Sequence, residues 1–152
     1  MKRVQILALL TAAGAALGVS LPAALAASHA GGAKIELEKT AKYGKILADS
    51  RGWTIYAFTK DKKNQDNCQK TAGCTSAWPP VVTKGKPVAG PGVKQSLLGS
   101  IKLKNGKSQV TYNGIPLYTY TSDGGPHQTF YVNFFQFGGN WPAVNAAGKE
   151  VK

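Results

Sequence analysis

The chain has 152 residues, with 19 Lys and Arg against 7 Asp and Glu, for a formal net charge of +12. That is one domain's worth of chain with a strongly basic surface. Two cysteines, two histidines and one methionine leave a soft or copper-type metal cage poorly supplied.

The first element in chain order is a predicted secretory signal peptide, Met1–Ala26. Lys2 and Arg3 give a positive start, Ile6–Leu25 is apolar and rich in Ala and Leu, and Ala24-Leu25-Ala26 ends on the small residues a signal peptidase reads. Ser28-His29-Ala30 offers a second cleavage site, and an uncleaved membrane anchor is the alternative reading of the same run. No cysteine lies near the cleavage site, so a soluble product without a lipid anchor is expected. Cleavage before Ala27 leaves a domain of residues 27–152. Losing Lys2 and Arg3 takes the 19 basic residues to 17, against the same 7 acidic ones, a net charge near +10. Sixteen of those 17 are Lys, a hydrated point charge without the planar fork of Arg. Such a surface is either simply well solvated or attracted to anionic envelope material such as polysaccharide or lipid headgroups. Export and the absence of an Arg cluster argue against nucleic acid.

Beyond the leader, Lys34–Glu38 alternates polar and apolar residues and predicts a strand, as does Ile46-Leu47-Ala48. Ser50-Arg51-Gly52 is a turn into a predicted strand, Trp53–Thr59. Its alternation puts Tyr56 and Phe58 on one face. Asp61 falls at the strand end, where a carboxylate accepts backbone N–H groups and sets a turn. Cys68 and Cys74 follow, six positions apart. An oxidising compartment predicts that they pair, closing a short loop. A redox pair or half a metal site is the other reading, but the five intervening residues and Thr75 match neither a redox nor a haem-attachment spacing. Pro79–Ser96 reads as a connector, and Ser96–Lys102 as a short helix or turn. Gln109–Tyr112 and Pro116–Tyr118 flank Asn113-Gly114, a strong hairpin signal. Thr129–Phe137 is dense in aromatics and predicts a further strand.

The chain also contains its own copy. Gly52-Trp53-Thr54-Ile55-Tyr56-Ala57-Phe58-Thr59-Lys60-Asp61 is matched by Gly114-Ile115-Pro116-Leu117-Tyr118-Thr119-Tyr120-Thr121-Ser122-Asp123. Each copy ends on Trp-Pro, at Trp78-Pro79 and Trp141-Pro142, with Tyr-to-Trp spacings of 22 and 23. The copies span about 43–82 and about 105–146. An all-β, mainly antiparallel domain is expected, built from two tandem copies of a β-hairpin motif with at most short helices. Tyr56, Phe58, Trp78, Tyr118, Tyr120 and Trp141 either fill a joint core or line a groove that stacks a sugar or planar ligand.

These residues resemble a known family. Tyr56-x-Phe58-x-x-Asp61 and Tyr118-x-Tyr120-x-x-Asp123 both match the Yx(FWY)xxD motif of predicted bacterial lipoproteins, also called secreted repeats of unknown function. The resemblance runs from Tyr43 to Gly148 and takes in Cys68, Cys74 and Trp78-Pro79-Pro80. It implies an exported, β-rich envelope protein. Members often carry a lipidated cysteine, which this chain lacks, and His127 stands where a Gly-containing turn is usual.

Candidate chemistry is sparse. Asp123 and His127 are four apart in a Gly-rich turn, which brings an acid–base pair within reach, but no nucleophile elbow accompanies them. Asp61, Asn64 and Asp66 offer oxygens to a hard cation, in a spacing that is not a calcium loop and beside Lys62 and Lys63. No catalytic residue, metal site or cofactor is therefore assigned, and His127 is kept as a polar site. The favoured reading is a non-catalytic binding or interaction module, periplasmic or extracellular. Its partner would be an anionic envelope polymer or another envelope protein, and surface association with a membrane is compatible. A redox or cofactor-binding protein and a cell-wall-acting enzyme are the alternatives.

Overall fold

The structure is a computed structural model, and it describes residues 31–152. The signal-peptide reading lies outside the described residues. Within them the chain is all-β and mainly antiparallel, with no long helix.

β1 (Lys34–Thr40) and β2 (Gly44–Asp49) form a hairpin in register from Ile35↔Asp49 to Thr40↔Gly44. β2 ends at Asp49, whose Oδ1 accepts the N–H groups of Arg51 and Trp53 and so shapes the turn. The next segment, Trp53–Thr59, is fully extended in sequence pattern but forms only isolated bridges, at Thr54 and Tyr56. The reason is that its partners include Pro142, which has no N–H to return, so no regular ladder develops. A 3₁₀ turn (Cys68–Lys70) and the one-turn helix α1 (Cys74–Ala77) hold the Cys68–Cys74 disulfide, whose Cα atoms are 5.3 Å apart.

The connector after Trp78 carries two short strands, β3 (Val82–Thr83) and β4 (Val88–Ala89); β4 joins β1 in parallel. The stretch expected as a short helix or turn is a 3₁₀ turn at Gln95–Leu97 followed by a strand, β5 (Leu98–Lys102). Its backbone is recruited by β6 (Ser108–Tyr112), which pairs with β5 on one side and β3 on the other. β7 (Ile115–Pro116) turns back on β6 through Asn113-Gly114, with φ of 52° and 78°. Positive φ at both central residues is what a two-residue hairpin of this hand requires. The aromatic stretch Thr129–Phe137 yields only β8 (Phe134–Gln136), because Asn133 and Phe137 take φ of 72° and 56° and break the strand at both ends. β8 pairs with β9 (Gly139–Trp141), and β10 (Ala143–Val144) pairs with β11 (Glu150–Val151).

The alternation in the motif strands sorts side chains into two cores. Tyr56, Phe58, Tyr118 and Tyr120 join Trp78, Trp141 and both cysteines in one. Ile55, Ala57 and Leu117 point the other way, into a core with Ile35, Leu47, Val110 and Tyr112. The motif strands are thus buried on both faces, the middle layer of the molecule.

The disulfide closes a short loop, so its contribution is about 2 kcal/mol. Replacing Cys68 and Cys74 together by Ser is expected to lower unfolding free energy by about that amount or somewhat more, since both side chains are fully buried. Denaturant unfolding monitored by tryptophan fluorescence measures it; an unchanged midpoint would contradict the assignment.

Candidate functional site

The duplicated residues converge on one place, the seam between the two copies. Tyr56 and Tyr118 face each other as an antiparallel pair, exchanging both backbone hydrogen bonds, at 2.9 and 3.0 Å. From this pair outward the contacts are crossed. Ala57 N–H donates to Pro142 and Thr59 N–H to Asn140; equivalently, Thr119 N–H donates to Pro79 and Thr121 N–H to Ala77. Each Tyr strand therefore lies along the Trp-Pro segment of the other copy.

The rings repeat this pseudo-two-fold. Trp78 and Trp141 stack on the axis, centroids 4.0 Å apart and planes 5° apart. Phe58 stacks on Trp141 and Tyr120 on Trp78, at 4.2 and 3.8 Å. Tyr56 meets Trp78 edge-on at 5.1 Å, and Tyr118 meets Trp141 edge-on at 5.2 Å. Such aromatic pairs contribute about 0.5–1.5 kcal/mol each beyond the area they bury. All six motif rings are buried, Tyr120 least completely.

Buried phenols need partners, and here too the copies cross. Tyr118 Oη donates to Asp61 Oδ2 at 2.7 Å, and Tyr56 Oη donates to both oxygens of Asp123 at 3.1 Å. Asp61 Oδ1 also accepts the Asn67 N–H, so it shapes its own turn while it receives the other copy's tyrosine. Burial lifts the Asp61 carboxyl to about 7, opposed by the hydrogen bonds from Tyr118 and Asn67. Burial likewise lifts Asp123 to about 6. Both phenols are pushed up, first by burial and then by the charge of the carboxylate each one meets.

His127 falls into the same scheme. Its φ is 64° and its backbone N–H donates to the carbonyl of Gly52. In the first copy Asn64, at φ 56°, donates to the carbonyl of Gly114. The turn after each Asp thus grips the glycine that opens the other copy's motif. A Cβ on Gly52 would come within 2.8 Å of the His127 ring, and one on Gly114 within 2.6 Å of Lys63. The His127 ring is exposed and its Nδ1 lies 2.8 Å from Glu38 Oε1, so it turns to β1, while Asp123 is taken by Tyr56.

Of the oxygens weighed for a hard cation, both of Asp61 are engaged as described and Asp66 Oδ1 accepts the Gln69 N–H, whereas Asp66 Oδ2 is buried without a hydrogen-bond partner. Among the described residues no group of three His, Cys, Asp or Glu is arranged to hold a metal ion. Sequence reasoning missed Gln136. Its side chain accepts the Trp78 indole N–H at 2.7 Å and its carbonyl accepts that of Trp141 at 3.1 Å. One residue outside the motif serves both tryptophans, and nothing in the repeat pattern marks it.

A family model described as a secreted repeat of unknown function matches residues 38–82 and again residues 99–145. The chain belongs to that family. The two matched segments are the two halves of the crossed seam, and the family's description makes the protein an exported one. Searches of curated proteins and of solved structures find no match.

The raised carboxyls set a pH dependence. A folded-state value above the ordinary one means that the folded chain holds more protons than the unfolded chain between about 4 and 7. Stability is then highest at the acid end of that window and falls as pH rises through it. Thermal unfolding is expected at a higher temperature at pH 5 than at pH 8, and Asp61→Asn should flatten most of that slope. A midpoint that rises from pH 5 to 8 would overturn the assignment.

Proposed function

We propose that the protein is a non-catalytic binding module of the cell envelope, periplasmic or extracellular, that holds an anionic polymer. The motif residues that look chemical in sequence are spent on the seam, which favours binding over catalysis. What supports an anionic partner is the unbalanced surface. The described residues carry 16 Lys and Arg51 against seven carboxylates. Three of those carboxylates, Asp61, Asp66 and Asp123, sit in the motif turns, and Glu36, Glu38 and Asp49 pair with Lys34, His127 and Arg51. Glu150 is left to face fifteen lysines outside any ion pair among the described residues.

The observation that carries the reading is an open cleft of about 700 Å³ beside the β3–β6–β5 sheet. Lys84, Lys102 and Lys107 line it together with Val82 and Ser108, and no acidic residue does. Ammonium groups on flexible stems suit repeated anionic groups of a polymer better than one planar ligand. Affinity for a phosphate or carboxylate polysaccharide should fall steeply with salt. The triple variant Lys84→Gln, Lys102→Gln, Lys107→Gln should bind about tenfold or more weakly, at roughly 0.5 kcal/mol or more per exposed charge. Isothermal titration with a teichoic-acid-type polymer checks both; unchanged binding by the triple variant would sink the proposal.

A further inference from the structure

The two copies agree in the seam and differ in the interval between Asp and Trp. In the first copy that interval holds Lys62, Lys63, Lys70 and the buried disulfide. In the second it is aromatic, and residues 124–148 contain no Lys, Arg, Asp or Glu at all. Within it Phe130 is 80% exposed, Phe135 66% and Phe134 40%. The Phe134 ring still meets those of Tyr120 and Tyr131, but the exposure of Phe130 and Phe135 is not explained by packing, which the seam and the two cores already account for.

The surroundings point to what covers them. Lys60 runs along the β8–β9 hairpin, with Nζ 3.3 Å from where a Cβ on Gly138 would stand. Phe137 packs toward Gly73, in the disulfide loop that also carries Lys70. An uncharged aromatic tip on a lysine-rich body is complementary to an anionic lipid surface. Aromatic rings settle at the boundary of headgroups and acyl chains, no charge has to be desolvated, and lysines behind the tip meet the headgroups. A second copy of the chain is a poorer occupant, because two bodies with this excess of lysine repel each other.

We infer that the exposed rings of Phe130 and Phe135 form a membrane-insertion tip that docks the exported protein on the surface of an anionic phospholipid bilayer. This surface is separate from the lysine cleft, and its occupancy does not depend on the polymer reading.

The test is co-sedimentation of the exported protein with vesicles of phosphatidylcholine, alone and mixed with phosphatidylglycerol. Binding is expected to the mixed vesicles and to weaken with salt. Phe130→Ala and Phe135→Ala should each reduce partitioning by about tenfold, the scale of one phenylalanine returned to water. Their melting temperatures should stay unchanged, because both side chains are exposed. In Phe135→Trp, the added indole emission should shift to the blue on mixed vesicles and be quenched by brominated acyl chains. Full vesicle binding by the double Ala variant, or no quenching of the added indole, would overturn the tip. So would a wild-type dimer that the double Ala variant breaks, since the tip would then be a contact between copies. The double Ala variant should still bind the anionic polymer, so failure of the tip and failure of the polymer reading are told apart.

Discussion

The whole molecule depends on the reciprocal pairing of Tyr56 with Tyr118. Two short strands exchange one pair of backbone hydrogen bonds, and that register places every other group of the motif opposite its counterpart in the other copy. Had the copies been self-contained, each would bury a few aromatic rings in roughly half a domain, which is marginal on its own. Crossing them solves this. Each tyrosine hydroxyl reaches the other copy's Asp, each Tyr strand lies on the other copy's Trp-Pro, and the two tryptophans close on one another at the axis. The motif is the signature of an interface inside one chain, and a single copy would lack the partners for its own polar groups.

This arrangement explains which residue types recur. Gly52 and Gly114 leave room for the opposite copy's turn to press against them. Tyr supplies a ring for the core and a hydroxyl that reaches past it; Phe in its place would leave a carboxylate buried without that donor, a loss of about 1–3 kcal/mol. Trp-Pro supplies a carbonyl to the opposite strand from a residue that needs no N–H partner of its own.

Much of this was legible beforehand. The duplication, the alternation through Tyr56 and Phe58, the Asn113-Gly114 turn and the cysteine pair all rest on local chemistry that a sequence exposes directly. The crossing does not. Nothing in a linear repeat says whether Tyr118 bonds to Asp123 five residues away or to Asp61 in the other copy, because both satisfy the same local pattern. His127 illustrates the limit. Its distance from Asp123 suggested a catalytic pair, whereas its backbone does in one copy what that of Asn64 does in the other. The β5 strand and the broken aromatic stretch were misread for a related reason: pairing with β6 and positive φ at Asn133 and Phe137 are set by tertiary context. Gln136 was invisible because its task is set by two distant indoles.

The surfaces we propose to be functional lie outside the seam: a lysine cleft beside the β3–β6–β5 sheet and the exposed phenylalanines in and before β8. The crossing is tested most directly by double-mutant cycles on unfolding free energy. Tyr118→Phe is combined with Asp61→Asn across the copies, and with Asp123→Asn within its own copy. We expect a coupling on the order of 1 kcal/mol or more for the crossed pair and none beyond error for the same-copy pair. Coupling of Tyr118 to Asp123 instead of Asp61 would mean that each copy satisfies itself, and the crossed seam would be wrong.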